Sequence, residues 1–175
     1  MRKFVSVLAL ACLFAIPVLA QDHYKAEIFG GYQYTRINPG SGVTGANFNG
    51  WNGAVTGNLN NWLGVTADIS GAYKSENGAS LKLHNFMFGP TVSYNKLEKV
   101  KPFAHVLFGF AHANAGFAGV GASDNAFATA FGGGVDVGVS KSVAFRLFQA
   151  DYFLTRFGSE SQNNARISTG IVFRF

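Results

Sequence analysis

The final eight residues of the chain set one row, Thr169, Ile171, Phe173 and Phe175, against another, Ser168, Gly170, Val172 and Arg174. Residues two apart share a face only in an extended strand, so this is a strand with one greasy side and one small or polar side. The same period of two recurs in seven earlier segments. From Lys25 to Thr35, Ala26, Ile28, Gly30, Tyr32 and Tyr34 share a face. Trp51, Gly53, Val55, Gly57 and Leu59 form the second row, Leu63, Val65, Ala67 and Ile69 the third, Phe86, Phe88, Val92 and Tyr94 the fourth. A fifth segment sets Ala104, Val106, Phe108 and Phe110 against His105, Leu107 and Gly109. A sixth sets Phe127, Phe131, Val135 and Val137 against Ala128, Ala130, Gly132, Gly134 and Asp136. Val143–Leu154 and Ala165–Phe175 complete the set. Each approaches the about 9–11 residues a tilted strand needs to cross a bilayer.

Charged residues make up 13% of the chain, against about 25% in soluble proteins. A water-soluble barrel needs a charged outer surface, and this chain lacks the charges to cover one. Aromatics reach 15%, with 18 Phe, and there are 22 Gly. An apolar exterior around a small and polar interior fits that composition. The net charge of +5 falls to +3 without Arg2 and Lys3, too weak and scattered to point to nucleic acid.

Met1-Arg2-Lys3 precedes an uncharged apolar run from Phe4 to Leu19, broken at Pro17 and followed by small residues up to Ala20. This is the pattern of a secretory signal peptide over residues 1–20, cleaved after Ala20. The run falls short of the roughly 20 residues a spanning helix needs. Cys12 suggests a lipoprotein signal only superficially, because Ala9 stands where such signals carry Leu. The expected mature chain, residues 21–175, is one domain and holds no cysteine to form a disulfide.

The connections alternate long and short. Arg36–Phe48, Lys74–Lys82, Ala113–Asn125 and Arg156–Asn164 read as long loops rich in Gly, Asn and Ser. Asn60-Asn61 and Ser140–Ser142 are tight, and Asn95–Lys101 is a moderate turn. The expected fold is all-β: an eight-stranded antiparallel up-and-down transmembrane β-barrel, with the short turns in the periplasm and the long loops outside.

The terminal pattern of Ser168, Gly170, Phe173 and Phe175 resembles the C-terminal assembly signal of bacterial outer-membrane barrels. With the leader and the eight segments, the whole mature chain resembles the OmpA-type β-barrel domain in its small single-domain form. The resemblance implies residence in the bacterial outer membrane, among outer-membrane lipid and lipopolysaccharide. It implies barrel assembly machinery and periplasmic chaperones as partners during biogenesis, and loops that face an unidentified extracellular ligand. It implies no cofactor, and the absence of a following peptidoglycan-binding domain removes any expectation of a cell-wall tether.

Six charges within the strands, Glu27, Asp68, Asp136, Asp151, Arg166 and Arg174, lie mostly opposite the apolar rows. That places them inside a barrel whose lumen side chains can just fill. Buried charges must be paired, so one reading is a salt-bridged plug. The other is a narrow pore for ions or small solutes, lined by Asp68, Asp136, Arg166 and Arg174. Arg146 has opposite parity to Gln149 and Asp151, so all three face inward only with a bulge between them. Pro90 cannot donate to a ladder and calls for a bulge or a strand end.

The histidines do not form a metal site: His105 and His112 are an odd number apart and point to opposite faces. Gly132-Gly133-Gly134 is followed by continued alternation rather than a helix, so no phosphate loop is expected. Catalysis is not expected either. Only Gln21–Tyr24 precede the first strand, too few for the helix of lipid A acyltransferases, and no His follows His112 to serve the late His and Ser of lipid A deacylases. Tyr32, Tyr34, Trp51, Tyr73 and Tyr152 are expected at the outer membrane interface, and Trp62, Tyr94, Phe103, Phe173 and Phe175 at the inner one.

Overall fold

The structure, a computed structural model, describes residues 24–38, 45–76, 79–97, 99–117, 120–157 and 160–175. The leader expected over residues 1–20, with its cleavage point at Ala20, lies outside them. Eight strands follow in order: β1 (Ala26–Ile37), β2 (Ala46–Asn58), β3 (Leu63–Glu76), β4 (Ala79–Ser93), β5 (Val100–Phe117), β6 (Val120–Gly138), β7 (Val143–Phe157) and β8 (Glu160–Arg174). Each pairs antiparallel with the next, and β8 returns to β1 to close the barrel. The closure is completed at the chain end, where Phe175 N–H donates to Ala26 O at 2.9 Å and Lys25 N–H to Phe175 O at 2.7 Å. No edge is left for another strand to add to.

Burial follows the period of two. In β1, Glu27, Phe29, Gln33 and Thr35 are buried while Ile28 and Tyr32 are exposed. The outer wall is a belt of Val55, Ile69, Phe86, Phe88, Phe108, Phe110, Phe127 and Ile171. At one rim of that belt Trp51 Nε1–H donates to Tyr73 Oη at 3.2 Å, and both rings lie across Gly71. A Cβ on Gly71 would sit 2.6 Å from Tyr73 Oη and 2.8 Å from Trp51 Nε1, so any larger residue there displaces the pair.

The strands run further than their hydrophobic pattern indicates. Lys74–Lys82, Ala113–Asn125 and Arg156–Asn164 are not long loops. β3 and β4 pair out to Glu76 and Ala79, β5 and β6 to Phe117 and Val120, β7 and β8 to Phe157 and Glu160. Ladder hydrogen bonds join backbone to backbone, so a strand with water on both faces shows no alternation to read. The opposite end has the short turns, Leu59–Trp62 and Val139–Ser142, with Val139 N–H bonded to Val143 O at 2.9 Å.

Pro90 brings no register shift. It faces outward opposite Val65 near the short-turn end of β4, and pairing with β5 lapses only at Gly89 and Pro90 before resuming at Thr91. The bulge demanded by Arg146 is present: the register shifts between Arg146 and Gln149, and Leu147 and Phe148 both point outward.

Candidate functional site

The inward positions of eight strands converge on one small volume, and the acids and bases there meet in two clusters. All six charges singled out above are buried: Glu27, Asp68, Asp136, Asp151, Arg166 and Arg174. The larger cluster centres on Arg166 of β8, which is 1% exposed. Its Nη1 donates to Asp68 Oδ1 of β3 at 2.7 Å and its Nε to Asp151 Oδ2 of β7 at 2.7 Å. Asp151 also meets His105 Nε2 of β5 at 2.9 Å and accepts from Gln149 Nε2 at 2.8 Å. Gln149 in turn accepts from Arg146 Nη1 at 2.6 Å, and Arg146 Nε donates to Asp136 Oδ1 of β6 at 2.7 Å. Asn52 of β2 closes the far side by donating to Asp68 Oδ2 at 2.8 Å. The chain of bonds thus crosses the lumen and ties β2, β3, β5, β6, β7 and β8 together.

The second cluster lies nearer the short turns. Lys101 pairs with Glu27, and Arg174 Nε lies 3.7 Å from the same carboxylate. Phe103 does not join the inner girdle: with Phe29 it flanks Arg146, whose guanidinium carbon is 4.2 and 4.3 Å from the two ring centroids. Flat rings on both sides strip water from that cation and return a cation–π attraction. The space between the clusters, bounded by Thr66, Asp68, Asp136 and Arg146 among others, is about 20 Å³. That is room for about one water molecule.

Sequence reasoning missed Lys101, which it placed in a turn, and missed the partnership of His105 with Asp151. Lys101 and Arg146 bring the buried Asp, Glu, Lys and Arg side chains to four carboxylates and four bases among the described residues, with His105 beside them. No group of three metal-ligating side chains occurs among the described residues.

The remainder of the lumen has a different character. On the hairpin side of Arg166 the inner wall is apolar: Phe48, Leu83, Met87, Leu107 and Phe153, with Ala111, Ala126, Ala128 and Ala130. It opens into a cavity of about 370 Å³ at the hairpin-side mouth. The short-turn mouth holds a separate cavity of about 420 Å³, lined by Lys96, Lys99, Lys101 and Arg174 beside Tyr24 and Trp62. Of the terminal motif, Ser168 is buried and Phe173 and Phe175 face outward, while Gly170 lies beside Gly31 of β1.

Residues 6–175 match the family described as the outer membrane protein β-barrel domain. No curated protein sequence matches the chain. Among solved structures, the attachment invasion locus protein of Yersinia pestis is 19% identical, with a TM-score of 0.66 over 87% of this chain and 99% of that one. Neisserial surface protein A is 14% identical, with a TM-score of 0.70 over 89% and 100%. The N-terminal β-barrel domain of Pseudomonas aeruginosa OprF is 11% identical, with a TM-score of 0.54 over 88% and 100%. Likeness at these identities shows a shared fold.

Proposed function

Because the chain belongs to the outer membrane β-barrel domain family, we propose that it acts at the bacterial cell surface through its hairpin end, as a closed barrel rather than a conduit. Residues 1–20 are removed on export, the end with the Leu59–Trp62 and Val139–Ser142 turns lies in the periplasm and the four hairpins face outward, a reading supported by the long run of paired strand past the Trp51–Tyr73 girdle at the hairpin end. The observation that carries this reading is the bond network through Arg166, which reduces the lumen between the two charge clusters to about 20 Å³.

The outward hairpins support it. Beyond Tyr73 at the girdle, β3 and β4 stay paired to Glu76 and Ala79, and Ala79 pairs with Phe117 of β5. At about 3.3 Å per residue, this is a braced platform standing clear of the bilayer, suited to contacts that demand little ordering on binding. The Yersinia pestis barrel has been solved with the heparin analogue sucrose octasulfate. That compound is a reasonable first probe for the outward face here.

The alternative is a narrow pore lined by Asp68, Asp136, Arg166 and Arg174. Single-channel recording on refolded mature protein in a planar bilayer separates the two, with folding verified by heat-dependent gel mobility. The closed barrel gives a silent bilayer. Discrete current steps that change when Asp136 becomes Asn would overturn it in favour of the pore.

A further inference from the structure

We propose that the short-turn mouth of the barrel is a binding site for a phosphate ester, carried either by a lipid headgroup or by a small soluble molecule. The residues of that mouth carry the site by themselves, whether or not the lumen behind them is closed.

Arg174, at the end of β8, is its centre. The residue is 8% exposed, and it lines the cavity of about 420 Å³ together with Lys96, Lys99 and Lys101. Its Nε and Nη2 have no hydrogen-bond partner. Among the described residues, Glu27 is the carboxylate that comes within 4.0 Å, at 3.7 Å from Nε, too far for a hydrogen bond. The same Glu27 oxygen is already taken by Lys101. The ring of Tyr24, its centre 5.4 Å from the guanidinium carbon, adds a cation–π attraction. A buried cation short of oxygen acceptors is costly. A guanidinium fork meets an oxyanion with two N–H groups at once, so an anion in the cavity draws Arg174 forward and supplies what Glu27 does not.

The rest of the wall fixes the class of ligand. Lys96 and Lys99 are exposed on the turn between β4 and β5. No carboxylate lines the cavity among the described residues, and Glu98 of this turn lies outside them. Bases gathered around one space raise the local concentration of anions. The turn is pinned to its neighbours: Ser93 N–H donates to Trp62 O at 2.7 Å, Tyr94 N–H to Pro102 O at 3.0 Å, and Gly138 N–H to Lys99 O at 2.7 Å. A wall already in place costs little ordering on binding.

Tyr24, Trp62 and Tyr94 line the same space, so the group esterified to the phosphate meets aromatic rings. Such rings also favour the headgroup level of a bilayer, which brings a lipid phosphate within reach of the mouth. The volume falls in the range of about 300–1,000 Å³ common to small-molecule sites.

The test uses mature protein refolded in a maltoside detergent, which carries no phosphate, with nitrogen-labelled arginine read by NMR. The Arg174 Nε–H signal is assigned by its loss in Arg174→Lys. Glycerol 3-phosphate and a short-chain phosphatidylglycerol are titrated separately, each against sodium chloride at matched ionic strength. A saturable shift is expected at Arg174, while the signals of the paired Arg146 and Arg166 stay in place. Saturation by glycerol 3-phosphate identifies a soluble ester as sufficient; saturation by the lipid and not by the soluble ester identifies the headgroup as the source. A response to neither, or one that chloride reproduces, would overturn the proposal. Replacing Lys96 and Lys99 together by Gln should weaken binding about tenfold. Lys141→Gln, on the other turn and outside the cavity lining, should leave it unchanged. All three side chains are exposed, so gel mobility is expected to report a folded barrel in both variants. Undiminished binding in the double variant, or equal weakening by Lys141→Gln, would show a general attraction to a basic rim and sink the site. Current through a planar bilayer would end the closed-barrel reading and leave this titration untouched, so the two failures are distinguishable.

Discussion

Arg166 answers to two carboxylates at once, Asp68 and Asp151, each at 2.7 Å. Removing the cation leaves both acids buried and short of a partner, a change that costs about 3–5 kcal/mol where a buried pair is broken. Arg166→Gln should therefore lower the urea midpoint of the folded barrel in detergent by an amount corresponding to that range. A midpoint within error of the parent would show that the network does not hold the strands. Gly71 offers a test on the other face. Gly71→Val forces Trp51 and Tyr73 off the strand, at about 1–3 kcal/mol of overpacking, and should red-shift the tryptophan emission; an unchanged spectrum would contradict the geometry. Much at this scale was legible beforehand. The parity conflict between Arg146 and Asp151 already required an inserted residue, and the structure supplies it at Leu147 and Phe148. Lys101 was not legible, because it stands next to Pro102 at a strand start, where the pattern reads as turn.

The strands themselves were legible where lipid on one side and packing on the other impose alternation, and illegible above the girdle, where water meets both sides. Residues 113–124 have a composition of Gly, Ala, Asn and Ser that marks loops, yet 113–117 pair with 120–124 on one side and with 79–83 of β4 on the other. Replacing them with a tight two-residue turn should therefore leave the barrel folded, as judged by heat-dependent gel mobility, since every pair within the belt survives. A variant that no longer migrates as folded protein would show that the extension braces the belt. The opposite end of the chain invites a different experiment. We propose that Ser168, Gly170, Phe173 and Phe175 form the signal read during assembly. Phe175 contributes one outward ring and the backbone bonds to Lys25 and Ala26. Its deletion should reduce insertion in cells far more than refolding in detergent; equal effects on the two would argue for a purely structural role.

At the scale of the whole molecule, the closed eight-strand order follows from the count of alternating segments and the low charge, and both could be read directly. The partition of the lumen could not. Sequence parity shows which side chains face inward but says nothing about how far along the axis each one sits. The division into an apolar half on the hairpin side and an ionic half on the turn side therefore emerged only once register was known. The register places Leu83 and Met87 of β4 and Phe153 of β7 in one cluster with Ala126, Ala128 and Ala130.

On the proposed closed-barrel reading, a lumen stoppered at Arg166 makes the two mouths separate compartments. On that reading, whatever settles in the hairpin-side mouth equilibrates with the surroundings of the cell alone, because nothing would pass through to be drawn down on the far side. Its occupancy then reports external concentration, with no dependence on membrane voltage, on metabolism or on the composition of the periplasm.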